Sequence, residues 1–327
     1  MIPATDIPLR FTELVSGDPR FETWRQVVEA YQRQLCPVYS RYEGYRYLPI
    51  QAFKMTTVST FPPEQAQSVF LSSGTGSATR SRHFVRDLKV YERSVLAGYD
   101  AMVRPRVEDA DEVPVILAHL PAYAEESSLV AMLRILIRER GAPGSGFFLD
   151  DMTPLDQART RGRPVVLFGA AFGLLDLLEQ SPMPLPAGST VIETGGMKTH
   201  RQEIGRHELH ARLAAGFGVR TEGVISEYGM CELLSQCWSD EDGLFSPPPW
   251  MRFEIIDPED GLTPLPDGTP GALALFDMAN IHTVSHILTQ DRAVADGRRF
   301  ALLGRLDAAE LRGCNFLLES ALDSHGE

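Results

Sequence analysis

The chain has 327 residues, 43% hydrophobic and 23% charged, with a formal net charge of −13. That is enough apolar material for a sizeable core, and the length permits two domains or one large domain with subdomains. The acidic balance argues against a general affinity for nucleic acid or for an anionic membrane, so an anionic ligand must be met by a local basic site. Four cysteines, Cys36, Cys231, Cys237 and Cys314, show no C-x-x-C pairing and no histidine at zinc spacing, and a reduced, cytoplasmic protein is the expectation. The start, MIPATDIPLRF, has no apolar h-region, so no signal peptide is expected. No apolar run is long enough to span a bilayer.

Residues 1 to about 45 read as mainly helical, with Phe21 to Cys36 placing Trp24, Val27, Val28, Tyr31 and Leu35 on one face. Tyr47 to Lys54 reads as an extended approach to Val69–Leu71, the end of a buried strand, and Phe84 to Met102 as a helix. Strand and helix then alternate: strand 113–120, helix 127–140 stopping at Gly141, helix 154–160, strand 164–168, a helix opened by Gly169, and strand 189–194. Thr199 and Gln202 form a T-x-x-Q capping box for a helix running to Phe217, and Glu222 to Ser226 is a further strand. Continuous apolar strands separated by helices predict an α/β fold with largely parallel sheets covered by helices. Beyond about Pro247 come short strands at 251–256, 272–276, 283–288 and 300–303 with D-G and P-D-G turns, a small C-terminal β subdomain. The expected organisation is an α/β core over 1–246, the β subdomain over 247–320 and a frayed tail at 321–327.

Four loops follow predicted strands. Ser72, Ser73, Gly74, Thr75, Gly76, Ser77, Ala78 and Thr79, then Arg80 and Arg82, combine close backbone approach, hydroxyl donors and positive charge, which suits a polyphosphate. The stretch is no Walker P-loop, and composition alone favours a solvated Ser/Gly loop over a phosphate site. Thr194-Gly195-Gly196-Met197-Lys198 precedes the capped helix, where free N–H groups and the dipole favour an anion and Lys198 adds charge. Glu227-Tyr228-Gly229-Met230-Cys231-Glu232 offers a ring to stack on a base and a carboxylate for Mg²⁺, or else a surface carboxylate beside a core aromatic. Thr289-Gln290-Asp291 with Gly304-Arg305-Leu306-Asp307 supplies a carboxylate for a ribose diol and a cation, or else two polar turns. The histidines His83, His200, His207 and His210 read as solvated or satisfied structural residues, and Cys36 and Cys237 as packing residues.

The order of these segments is more specific than any one of them. SSGTGSATRSRH at 72–83, LFGAAF at 167–172, ETGGMK at 193–198, EYGMCELLSQ at 227–236, TQD at 289–291 and GRLDAAELRGC at 304–314, with YLPIQAFK at 47–54, resemble the adenylate-forming superfamily of acyl-CoA synthetases, luciferase and peptide-synthetase adenylation domains. Within it the sequence is most similar to the acyl-protein synthetases of bacterial luminescence (the LuxE type) and the adenylating enzymes of phenazine biosynthesis. The resemblance implies an ATP- and Mg²⁺-dependent ligase that makes an acyl-AMP from a carboxylic acid and passes the acyl group to a thiol or amine, on an acceptor protein or carrier, in specialised metabolism. It implies that Ser72 to Thr79 wrap the β and γ phosphates, with Arg80 beside them. Gly195, Gly196 and Met197 would line the junction of adenine and acyl pocket, and Phe168, Ala171 and Phe172 the substrate pocket. Tyr228 and Gly229 would lie against adenine, Cys231 at the α-phosphate, Glu232 on Mg²⁺, and Asp291 with Arg305 on the ribose, while Cys314 is a candidate acyl acceptor. Cys231 stands where the family has Thr, and Arg80 and Arg82 stand in for the lysine of the loop. The superfamily's mobile C-terminal domain, with its catalytic lysine, is expected to be absent, which makes Lys198 the candidate cation at the α-phosphate. The competing functions are a degenerate nucleotide- or acyl-binding partner subunit and an acyltransferase that uses a preformed donor.

Overall fold

The computed structural model describes residues 3–73, 80–107, 112–121, 124–180, 182–195 and 205–306. The N-terminal segment contains α1 (Ile7–Arg10), α2 (Arg20–Leu35), α3 (Pro37–Arg41), β1 (Leu48–Pro49) and α4 (Ala52–Met55). Helix α2 buries Phe21, Trp24 and Val28 on one stripe. Leu35, expected on that face, is exposed at the helix end, and Gln32 is buried instead. Its amide donates to the carbonyls of Asn280 and Ile281 at 3.0 and 3.1 Å, tying the helix to the far end of the chain. The expected extended stretch at 47–54 is β1 followed by the short helix α4.

Strands β2 (Ser68–Leu71) and β3 (Arg82–Val85) pair antiparallel, with Val69 opposite Phe84. Helix α5 (Leu88–Met102) therefore begins four residues later than Phe84, because Asp87 caps it by accepting from the Lys89 N–H at 2.9 Å. The alternating region follows: β4 (Val115–His119), α6 (Ser128–Arg140), β5 (Gly146–Phe148), α7 (Thr153–Arg161), β6 (Val165–Ala170), α8 (Ala171–Gln180), β7 (Thr190–Thr194), α9 (Arg206–Phe217) and β8 (Val224–Tyr228). Gly169 belongs to the strand rather than opening the helix. The Thr199–Gln202 capping box lies outside the described residues; α9 follows Gly205, whose backbone is extended.

The five strands β4 to β8 run parallel in the order β5-β4-β6-β7-β8. The sheet continues antiparallel through β9 (Cys237–Ser239), β10 (Phe245–Ser246), β11 (Met251–Ile256), β12 (Gly271–Asp277), β13 (His286–Asp296) and β14 (Arg299–Arg305), in the order β8-β9-β10-β14-β13-β12-β11. Hydrogen bonding is thus continuous across the boundary expected near residue 247, and the C-terminal strands extend the main sheet.

Alternation along the parallel strands separates two cores. Ile116, Ala118, Val166, Phe168, Ile192 and Ile225 pack with α5 and α6. Val115, Leu117, Val165, Leu167, Val191 and Val224 pack with α7, α8 and α9. The chain leaving β4 thus enters a helix on one face, and the chain leaving β6 a helix on the other. In an open α/β sheet this reversal leaves a crevice at the carboxyl ends of the strands, where ligands bind. His119, Ala170, Thr194 and Tyr228 stand along that edge.

Candidate functional site

The site is built on the carboxyl ends of β7 and β8, where Glu193 is in register with Ser226 and Thr194 with Glu227. On the α9 face Ser226 Oγ donates to Glu193 Oε1. The His210 Nε2 atom lies 2.9 Å from Ser226 Oγ and 3.8 Å from Glu193 Oε1. All three side chains are buried and bonded to one another, so together they fix the strand ends. On the opposite face Thr194 Oγ1 donates to Glu227 Oε2. Burial pushes the Glu227 carboxyl up to about 7, against the Thr194 hydrogen bond and with help from the Glu193 charge. The chain then turns away at Gly195, exposed and at φ +83, a conformation that favours glycine.

Tyr228 turns its phenol toward the antiparallel half of the sheet. Its hydroxyl donates to Asp291 Oδ2 at 2.8 Å, and Asp291 Oδ1 is 3.2 Å from Arg305 Nε. Asp291 and Arg305 face each other across β13 and β14, so TQD lies within a strand rather than at a turn. The Tyr228 ring is only 7% exposed, with Phe245 and Phe300 edge-on at 5.8 and 6.0 Å. Most of the surface expected to stack on a base is therefore covered by protein, and burial pushes the phenol well above its ordinary value.

Beyond Tyr228 a buried polar set shapes the turn. The Leu234 N–H donates to Asp277 Oδ2 and Asn280 Oδ1, both at 3.0 Å, and Asn280 Nδ2 donates to the Glu232 carbonyl at 2.7 Å. His83 Nδ1 lies 2.7 Å from the Cys231 carbonyl and its Nε2 3.2 Å from Thr283 Oγ1. His83 is thus a satisfied structural histidine, and burial lowers its pKa to about 4. Glu232 is 4% exposed, not the surface carboxylate its sequence context suggests, because this turn folds inward against the buried Asp277 and Asn280. Burial first, then the adjacent Glu232, pushes the Cys231 thiol far up, while Arg80 and Lys54 act in the opposite sense.

The neck of the Ser/Gly loop closes between β2 and β3. Ser72 N–H donates to the Ser81 carbonyl at 3.2 Å and Ser81 N–H to Ser72 Oγ at 3.0 Å. Arg80 donates through Nε to the Ser72 carbonyl at 2.6 Å and pairs through Nη1 with Glu126 at 3.1 Å. Ser73 and Arg82 are exposed. Gly74, Thr75, Gly76, Thr79, Gly196, Met197, Lys198 and Cys314 lie outside the described residues.

The structure brings Gly195, Tyr228, Gly229, Asp291 and Arg305 to one edge of the sheet and sets Cys231 within electrostatic reach of both Glu232 and Arg80. Of the expected acyl-pocket residues it brings neither Phe168 nor Ala171 to a surface. Phe168 and Ala171 are core residues of the α5/α6 and α7–α9 faces respectively, since strand alternation directs one inward and the first turn of α8 directs the other, while Phe172 is half-buried. Sequence reasoning missed Thr194 and Glu227 as a bonded pair; its one signal was that each is the last polar residue before its loop. Among the described residues no group of three or more His, Cys, Asp or Glu is arranged to hold a metal ion, and no helix is long and apolar enough to cross a membrane.

A family model for Acyl-protein synthetase, LuxE matches residues 131–323, more than half of the chain. No curated protein matches. ATP-bound MatB from Rhodopseudomonas palustris is similar in structure at a TM-score of 0.54 and 19% identity, over 75% of this chain and 49% of that one. An open 2-hydroxyisobutyryl-CoA ligase holding 2-HIB-AMP and CoA gives a TM-score of 0.62 at 13% identity, over 94% and 71%. AMP-bound O-succinylbenzoate coenzyme A synthetase (MenE) from Bacillus subtilis gives 0.51 at 15%, over 72% and 49%. The chain spans about half the length of MatB and MenE. At these identities the likeness establishes a fold shared with such ligases.

Proposed function

The chain belongs to the LuxE acyl-protein synthetase family, and from that membership we propose that it activates a carboxylic acid with ATP as the acyl-AMP and passes the acyl group to a thiol or amine of an acceptor protein. The carrying observation is the Tyr228–Asp291–Arg305 chain, 2.8 and 3.2 Å link by link, beside the Gly195 turn at the carboxyl edge of the sheet. An Asp oxygen that accepts one hydrogen bond keeps capacity for another. Asp291, held between phenol and guanidinium, would accept from the ribose hydroxyls, with Arg305 steadying the carboxylate. Gly195, Gly196 and Met197 would approach the base, with Tyr228 and Gly229 along its other side.

The substrate carboxylate attacks the α-phosphorus and pyrophosphate leaves. Two anions must meet, so the chain's task is shielding and positioning. Lys198 would oppose the charge gathering on the α-phosphate, with Cys231 near it, and Ser72, Ser73, Gly74, Thr75, Gly76, Thr79 and Arg80 would hold the leaving phosphates. Mg²⁺ typically takes one or two carboxylates and completes its shell with substrate phosphates and water. The single carboxylate of Glu232 fits that habit. When bound, the ion would neutralise phosphate charge. Phe172 remains a candidate contact for the acyl chain, and Cys314 a candidate relay for it. A cytoplasmic, biosynthetic role belongs to the same proposal, and the free thiols Cys36, Cys231 and Cys237 are compatible with a reducing setting. ATP–pyrophosphate exchange across a panel of acids tests the reading. We expect exchange that needs both an acid and Mg²⁺. ATP binding without exchange would instead favour a non-catalytic subunit, and acyl transfer from a preformed donor without ATP an acyltransferase.

A further inference from the structure

Glu227 has no part in the reaction as proposed, yet it stands between two residues assigned to the adenylate. Gly195 follows its partner Thr194, and Tyr228 follows Glu227 itself. Its side chain leaves β8 on the α5/α6 face, where Thr194 donates to one oxygen. The other oxygen, Oε1, lies against Gly229; a Cβ there would run into it, so a larger residue would push the carboxyl from this position. Gln236 borders the same spot, and Tyr91 of α5 is near enough for Glu227 to raise its phenol.

Among the described residues, the one charge that acts on Glu227 is a second acid, Glu193, and no arginine or lysine does. A buried carboxylate is tolerated when it is paired or neutralised. Burial favours the protonated form of the carboxyl in the free protein. The proposed reaction adds another carboxylate and a triphosphate to this edge, which makes an ionised Glu227 a hindrance for any substrate without a cation of its own. An ammonium group reverses that sign: it displaces the proton and fills the unused acceptor sites of the carboxylate.

We propose that Glu227, oriented by Thr194 and seated over Gly229, is the specificity-determining residue of the acyl site and binds the ammonium group of an amino-substituted carboxylic acid. Because Glu227 adjoins the residues assigned to the adenylate, the ammonium group lies close to the reacting carboxyl, which is the chemistry of α- and β-amino acids. This assignment rests on the adenylation reading above, and the test separates the two.

Matched pairs, phenylalanine with 3-phenylpropionate and β-alanine with propionate, are compared by calorimetric binding and by ATP–pyrophosphate exchange. In the wild-type protein we expect the amino acid of at least one pair to bind more tightly than its partner by about 10- to 100-fold, the range of a hydrogen bond to a charged group. Glu227→Gln, close in shape, should abolish that ratio while the unsubstituted acid binds as well or better. Thr194→Val, which removes only the orienting donor, should reduce the ratio without abolishing it. Equal or tighter binding of the unsubstituted acid to the wild-type protein overturns the proposal, as does a ratio that survives in Glu227→Gln, or no binding of either member of both pairs. An amine preference in binding without pyrophosphate exchange upholds Glu227 and rejects adenylation. Exchange without any preference rejects Glu227 and leaves adenylation standing.

Discussion

Glu227 and Asp291 both flank Tyr228, one preceding it on β8 and the other accepting its hydroxyl from β13, but the two halves of the sheet treat them differently. Asp291 is half-buried and paired with Arg305, whose side chain is 54% exposed, so its charge is compensated by the chain and reaches solvent. Glu227 is buried among Thr194, Tyr91 and Gly229 with no compensating cation among the described residues. The contrast separates two tasks. A group that must hold a neutral diol is served by a carboxylate whose charge the chain itself balances, as Arg305 does for Asp291. A group that recognises a cation is better left unpaired, because its discrimination then comes from the ligand.

The largest expected effect tests whether Lys198 serves the phosphate or Glu227. Losing one electrostatic stabiliser of a developing anion typically costs about 10²–10³ in rate. Lys198→Met should cut adenylate formation by that factor and leave the amino-acid preference unchanged. Loss of the preference alone, measured by calorimetry with the matched pairs, would make Lys198 the missing partner of Glu227 and break the comparison.

Next in size is a pH effect on stability. The Glu227 carboxyl has an ordinary value of 4.5 and is raised to about 7 in the fold. Between those values the native state holds a proton that the unfolded chain has lost, so this group's contribution to stability falls as pH rises through the window. The span corresponds to about 3 kcal/mol. Asp277, raised to about 6, acts in the same sense, while His83 and His282, lowered to about 4, lose stability as pH falls. Comparing wild type with Glu227→Gln cancels these other groups. In denaturant melts from pH 5 to 8, the variant should gain on the wild type steadily as pH rises. A constant difference would mean that Glu227 is ionised throughout.

The parallel strands, with Glu227 on β8 among them, were legible because β4, β6, β7 and β8 are apolar runs bounded by turn residues, and their order alone points to the carboxyl edge. Strand β3 was not legible. Phe84 and Val85 fit the apolar spacing of α5, and only the Asp87 cap at 2.9 Å from Lys89 N–H separates the two elements. Strands β9 and β10 lie in a polar stretch, CWSDEDGLFS, whose burial comes from neighbours distant in sequence. The candidate site was legible as a set of loops, whereas the partner of each residue was not. Tyr228 reads as a stacking ring until its hydroxyl is found on Asp291. Glu227 reads as one more acid in an acidic chain until register sets it against Thr194.

Asp291→Asn keeps the shape and removes the charge. A hydrogen bond to a charged group exceeds a neutral one by about 1 kcal/mol, so KM for ATP should rise about five- to tenfold while KM for the acid holds. Glu227→Gln should instead raise KM for an amino acid and leave KM for ATP unchanged, and that split is the sharpest kinetic form of the comparison. The half-exposed pair with Arg305 contributes little to folding, so the melting curve should move by no more than about 0.5 kcal/mol. A rise in KM for the acid in Asp291→Asn would place both acids at one ligand.

The smallest expected effect lies one step further along the turn, at Cys231. Its carbonyl is fixed by His83 at 2.7 Å, so the backbone does not depend on the side chain. Burial and the adjacent Glu232 keep the sulfur protonated, which leaves it only a weak donor. Cys231→Thr supplies a stronger donor in the same place and adds one methyl group to a residue 7% exposed in the α5/α6 core. If the side chain only bonds the α-phosphate, the gain is up to about 1 kcal/mol, or roughly fivefold in kcat/KM. Overpacking by one methyl works against it. Activity should therefore be preserved or modestly raised, with KM for ATP and KM for the acid both unchanged. A collapse of activity in a variant that still melts normally would show that the turn is built around sulfur, and the phosphate contact would then have to come from Arg80, whose charge already reaches this thiol.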